Sequence, residues 1–320
     1  MELRYTGAAP EAEITQLFGA AMEELFNADD KVVYLDADLM GSLKTQELWK
    51  KRPDRALNCG IQEANMVGVA AGLFLAGYKP YIHSFAPFIT RRVFDQVFLS
   101  LGYAGKSVHL IGSDVGIMAT DNGGTHMCFE DMAMMRTIPG GCIVDVSDAV
   151  MFLDLLKRTK DRAGVTYFRT ARRGLPDIYK PGTVFEVGKG KVLTEGGDVT
   201  VIASGIMTAT ALEAEKLLRE EGVSVRVVDP VTVKPLDEDL ILQCARETGA
   251  VVTAENHSIH GGLGGAVAEL LSEQLPTPVV RVGVCDAFGQ VGNEQYLREQ
   301  FHLRAEDILR AVYAALKIKK

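Results

Sequence analysis

Apolar positions at Ile14, Leu17, Phe18, Ala21, Met22 and Leu25 recur at helical spacing and predict an amphipathic helix over 11–26. The period then changes. Val32-Val33-Tyr34-Leu35 is a continuous apolar run of strand length, and comparable runs fall at 79–85, 107–111, 142–146 and 165–168. Helical patterns lie between them: one begins at about 63, one covers 130–136 before Pro139, and one covers 148–160. Strands without polar alternation are buried on both faces, so this order predicts a parallel sheet covered by helices. The alternation resumes with strands at 199–203, 223–228 and 250–255 and helices at 207–221 and 237–248. Between the two series, 175–182 holds two prolines and a glycine and reads as a connection. The expected architecture is α/β in two domains, 1–175 and a smaller 191–320, joined by a linker at 176–190.

Candidate chemistry gathers at strand ends, where open α/β sheets bind ligands. An extended segment over 55–61 leads to Glu63, in the first turn of a small-residue helix. The free N–H groups and dipole of a helix start favour a negative charge, so Glu63 alone reads as a cap. Gly68, Ala70, Ala71 and Gly72 on that helix allow another backbone to come close. The first strand ends in Asp36-Ala37-Asp38-Leu39, and the third segment ends in Ser84-Phe85-Ala86-Pro87-Phe88. The segment 112–126 ends in Gly123-Gly124-Thr125-His126. A loop of that length inside a compact domain is usually functional.

The run G-I-Q-E-A-N-M at 60–66, followed by V-G-V-A-A-G-L, resembles the pyrimidine-binding motif of thiamine-diphosphate enzymes of the transketolase group. The resemblance implies that Glu63 hydrogen-bonds N1′ of the cofactor's aminopyrimidine. That contact promotes the imino tautomer, which removes the C2 proton of the thiazolium. Cofactor chemistry of this kind needs the protein to tune ring electronics and position the reactive atom. By the same resemblance, Asp-Ala-Asp-Leu matches Ser-Ala-Asp-Leu and puts Asp38 near the thiazolium. Phe85 and Phe88 match aromatics packed on the pyrimidine, and G-G-T-H matches G-P-T-H, making His126 a substrate contact and a catalytic group able to shuttle protons near neutral pH. Gly124 replaces the usual proline, and a second family histidine, expected near Ser113, is absent. Arg169-Thr170-Ala171-Arg172 ends a strand, and Arg172 matches a sugar-phosphate-binding arginine. The position often held by tyrosine is Arg91, taken as a further substrate-binding residue. Arg92-Val93-Phe94-Asp95-Gln96 is closer to deoxyxylulose-phosphate synthases and to the β subunits of 2-oxoacid dehydrogenases. E-x-H-x-x-x-G-G-L-G over 255–264 resembles the family's C-terminal domain, where it serves packing and dimerisation, so His257 and His260 are not taken as catalytic.

Composition narrows the function classes. A net charge of −8 leaves no basic stripe for nucleic acid. The longest apolar run is too short to span a bilayer, and no signal peptide is evident. Five scattered cysteines without a CxxC pair suit a reducing cytoplasm. No G-D-G occurs in the chain, so the resemblance supplies no protein ligands for the Mg²⁺ that holds the diphosphate. The resemblance therefore implies the C-terminal subunit of a split transketolase. An N-terminal diphosphate-binding subunit would share the thiamine diphosphate and carry the Mg²⁺ ligands in an α2β2 assembly. The reaction implied is transfer of a two-carbon ketol unit from a ketose phosphate to an aldose. A dehydrogenase β subunit, a deoxyxylulose-phosphate-synthase-like enzyme and a non-catalytic partner-binding protein are the alternatives.

Overall fold

The computed structural model describes residues 3–172 and 175–319. The strands are β1 (Val32–Asp36), β2 (Ala56–Asn58), β3 (Lys79–Phe85), β4 (Val108–Ser113), β5 (Cys142–Asp145), β6 (Val165–Arg169), β7 (Lys191–Thr194), β8 (Val199–Ala203), β9 (Val225–Asp229), β10 (Thr232–Lys234), β11 (Val251–Ser258) and β12 (Val279–Val284). They form a seven-stranded sheet in the order β10-β5-β6-β4-β3-β1-β2 and a five-stranded sheet in the order β12-β11-β8-β9-β7. Pairing is parallel except at two edges, where β10 runs against β5 and β7 against β9. The α/β class read from the sequence is what the chain adopts.

The uninterrupted apolar runs have a physical cause: β1, β4, β5 and β6 are buried at every residue. The helix Ile14–Ala28 covers one face, with Phe18 stacked on Phe152 of the helix Ala149–Arg158 at 5.9 Å. That second helix starts at 149 because the Asp148 carboxylate caps it, accepting from the Met151 N–H at 2.8 Å. On the other face the helix Glu63–Leu75 buries Met66, Val67 and Ala70 against Val33, Leu35 and Ile82.

The two sheets are not held apart by the chain order. β10 follows β9 in sequence, yet it leaves the second sheet to close the edge of the first. Beneath this crossing lies a dry polar junction. Arg169, fully buried at the end of β6, donates to Asp131 at 2.8 Å, to Asp145 at 3.2 Å and to the Asn256 carbonyl at 2.5 Å. Ser204, after β8, donates to Asp145 at 2.6 Å. A buried cation is tolerable only when paired on this scale, and removing one partner typically costs about 3–5 kcal/mol.

Candidate active site

The carboxyl ends of β1, β3 and β4 lie side by side in the first sheet, with Asp36 aligned to His83 and Phe85 to Ser113. Asp36 is buried and takes the Tyr34 hydroxyl at 2.7 Å, the His83 imidazole at 2.7 Å and the Leu39 N–H. His83 Nε2 stands 3.0 Å from Ser113 Oγ. This imidazole, on the strand next to Ser113, is fully buried with both ring nitrogens engaged. Asp38 is exposed at the rim, with φ at 65° and its carboxylate held by Asn58 Nδ2 at 2.9 Å.

Glu63 opens its helix and is 2% exposed. Its two oxygens are occupied separately: Ser84 Oγ donates to Oε1 at 2.8 Å, and Arg92 Nη1 donates to Oε2 at 2.9 Å. Each oxygen has a further lone pair, so the carboxylate can still accept from a ring nitrogen. The aromatic wall is next to it. Phe85 and Phe88 lie 6.2 Å apart, and His126 stands edge-on to both, at 5.8 and 5.0 Å. A dry carboxylate beside two apolar rings suits a flat heteroaromatic group with a basic nitrogen, which is the chemistry of an aminopyrimidine. Arg172 spans from this wall to a neighbouring cleft. Its guanidinium sits 5.4 Å from the Phe85 ring centre, and its Nε donates to Asp114 at 2.7 Å. The cleft holds about 640 Å³ and is lined by Asp114, Arg172, Thr120, Asp121, Asn122 and Asn293, among others.

Of the residues singled out from sequence, Glu63, Phe85, Phe88, His126 and Arg172 come together, while Asp38 stays at the rim. Arg91 is engaged elsewhere, with Nη1 2.6 Å from Glu130 Oε1. Its neighbour Arg92 reaches Glu63 instead. Arg92 was legible only as part of R-x-F-D-Q. Ser84 and His83 carried no signal beyond membership of a strand.

The second sheet fixes the loop that carries His126. Asn256 of β11 accepts from the Ile117 N–H and donates to the Val115 carbonyl, both at 3.1 Å. Gly124 packs so closely on Gly289 that a Cβ would lie 2.7 Å from the Gly289 carbonyl oxygen. His257 is buried beside Asp131, and burial first of all lowers its pKa, to about 4. Glu255 accepts from the Leu263 and Gly264 N–H groups, and burial raises its carboxyl to about 7. Glu255 belongs to the packing of the second sheet, while His257 packs against the first domain, where its Nε2 accepts from the Ala133 N–H at 3.4 Å. Among the described residues no group of three or more His, Cys, Asp or Glu side chains is placed to hold a metal ion. No described helix is long and apolar enough to cross a membrane.

The family described as the transketolase pyrimidine-binding domain matches residues 11–177, and the transketolase C-terminal domain matches 188–308. The chain is 46% identical over 296 residues to the 6-deoxy-6-sulfo-D-fructose transketolase subunit SqwH of Clostridium sp. (strain MSTE9), covering 92% of each chain. It is 35% identical to a putative transketolase C-terminal section of Methanocaldococcus jannaschii, over 94% of this chain and 95% of that protein. A solved split-gene transketolase, described as an inactive beta4 tetramer, superposes with a TM-score of 0.88 at 42% identity, over 96% of this chain and 99% of that one. The chain therefore belongs to the transketolase family of thiamine-diphosphate-dependent ketol-transferring enzymes, of which it carries the pyrimidine-binding and C-terminal domains.

Proposed function

We propose that this chain is the pyrimidine-binding subunit of a split transketolase, completed by a second polypeptide that holds the diphosphate and its Mg²⁺. The observation that carries this reading is Glu63: a carboxylate 2% exposed, doubly hydrogen-bonded and set beside Phe85 and Phe88. When bound, thiamine diphosphate supplies the nucleophilic carbon that takes a two-carbon ketol unit from a ketose and passes it to an aldose. Glu63 hydrogen-bonds the aminopyrimidine ring nitrogen, and Phe85 and Phe88 pack on that ring and exclude water. Asp38, at the rim, offers a negative charge to the cationic thiazolium ring. His126 gives and takes a proton at a substrate oxygen, a role suited to imidazole near neutral pH. Arg172 receives the anionic end of the substrate from the cleft, since a guanidinium matches an oxyanion bidentately. Arg91, half-exposed and paired with Glu130, is a second anion contact farther out.

The sequence contains no G-D-G, which favours metal ligands on the other chain. Two chains of each kind in an α2β2 assembly fit an active site shared between subunits. Free cysteines suit a reducing cytoplasm. In the test, the purified chain is assayed for ketol transfer with thiamine diphosphate and Mg²⁺, alone and with a co-expressed G-D-G-bearing partner. Turnover only in the mixture, lost in Glu63→Gln, is expected. Turnover by the lone chain, or pyruvate decarboxylation in place of ketol transfer, would overturn the reading.

A further inference from the structure

Arg92 lies 2.9 Å from the oxygen of Glu63 that Ser84 leaves free, with its guanidinium 3.8 Å from the centre of the Phe88 ring. Arg92 is therefore fixed at both ends, by a carboxylate and by an aromatic face. Its backbone is fixed too. Thr90, buried just before the turn Arg91–Val93, donates from Oγ1 to the Ala86 carbonyl at 2.6 Å. The carboxylate it holds is 2% exposed while the Arg92 side chain is 45% exposed, so Arg92 screens Glu63 from solvent, and without it this oxygen would face water with no fixed donor. Ser84 is a neutral donor and Arg92 a charged one, and the two contacts give the Glu63 carboxylate one orientation.

We infer that Arg92 is the positioning residue of the cofactor-activating carboxylate, holding Glu63 as an oriented acceptor toward the aminopyrimidine. This rests on the transketolase reading above. Held by Ser84 and Arg92, each on its own oxygen, Glu63 keeps further lone pairs to offer the ring nitrogen. Arg92 thus acts through Glu63 and, by covering Phe88, couples the acid to the aromatic wall. Lysine in its place would keep the charge and lose the planar stacking and the fork geometry.

The test uses the assembled two-subunit complex with thiamine diphosphate and Mg²⁺, comparing wild type with Arg92→Ala and Arg92→Lys. Three quantities are read: cofactor affinity by calorimetry, the near-ultraviolet circular dichroism of the bound aminopyrimidine, and kcat. Arg92→Ala should lose the aminopyrimidine band and about 10- to 100-fold in kcat, the scale of one charge-assisted hydrogen bond. Added guanidinium should restore both in part, and Arg92→Lys should lie between. An unchanged band and kcat in Arg92→Ala would overturn the inference while leaving the transketolase reading intact. So would a loss that neither guanidinium nor lysine repairs. Wild-type complex without any cofactor-induced band would overturn that reading, and the inference with it.

Discussion

His126 stands edge-on to Phe88, ring centres 5.0 Å apart at 69°. The two side chains come from different places: Phe88 from the turn Ala86–Ile89 after β3, and His126 from the end of the turn Gly123–Thr125. Thr125 Oγ1 is 2.8 Å from His126 Nδ1, so one ring nitrogen is engaged by the chain and Nε2 remains for substrate.

Replacing His126 by alanine should reduce kcat/KM by roughly 10²- to 10⁴-fold, the usual scale of a lost proton-transfer group. The fold should be unaffected, because His126 is only half-buried. Steady-state kinetics of the assembled enzyme decide it, and an unchanged kcat/KM would remove His126 from the proton-transfer role.

Gly124 is where the chain departs from the proline of the family motif, and the structure gives a reason. A Cβ there would meet the Gly289 backbone at 2.7 Å, and neither backbone can yield cheaply. Gly124→Pro should therefore displace the His126 loop. Misplacement of a catalytic group by about 1 Å costs up to roughly 10²-fold in rate. A variant with wild-type kcat and an unshifted melting temperature would show that the contact does not position the loop.

Arg172→Ala should weaken use of anionic substrates far more than of neutral sugars. A charge-assisted hydrogen bond to an oxyanion is worth about 1.5–3 kcal/mol. Asp114 competes for the same guanidinium, so Asp114→Asn should tighten binding of the anionic substrate. Equal loss of kcat/KM on charged and neutral substrates in Arg172→Ala would exclude the anion-binding role.

How much of this was legible beforehand follows from what each signal depends on. β1, β4, β5 and β6 were readable because both faces are buried and the apolar run is unbroken. β10 was not. Three residues, Thr232-Val233-Lys234, carry no period, and their pairing with β5 is decided across the molecule. Within the site, Glu63, Phe85, Phe88 and His126 were found because they sit in contiguous motifs. Arg92 and Ser84 were not, because a hydrogen bond from the next strand or turn leaves no mark in local spacing. His83 illustrates the same limit, since its contact with Ser113 runs between neighbouring strands.

Glu255 lies under the glycine-rich turn with its oxygens on the Leu263 and Gly264 N–H groups. Burial outweighs those bonds and raises its carboxyl from 4.5 to about 7. Between pH 4.5 and 7 the folded state keeps a proton that the unfolded state releases, so Glu255 makes folding less favourable as pH rises. His257, lowered from 6.5 to about 4, works the other way over that lower range, because there the unfolded state binds the extra proton. The wild-type profile therefore mixes opposing slopes, and the difference between wild type and Glu255→Gln isolates the carboxyl. Glutamine cannot ionise but can accept from one of the two N–H groups. Its stability relative to wild type should accordingly rise from pH 4.5 to 7 and then level off. Denaturant midpoints measured across that range decide the matter, and a difference that stays constant with pH would mean that Glu255 is ionised throughout.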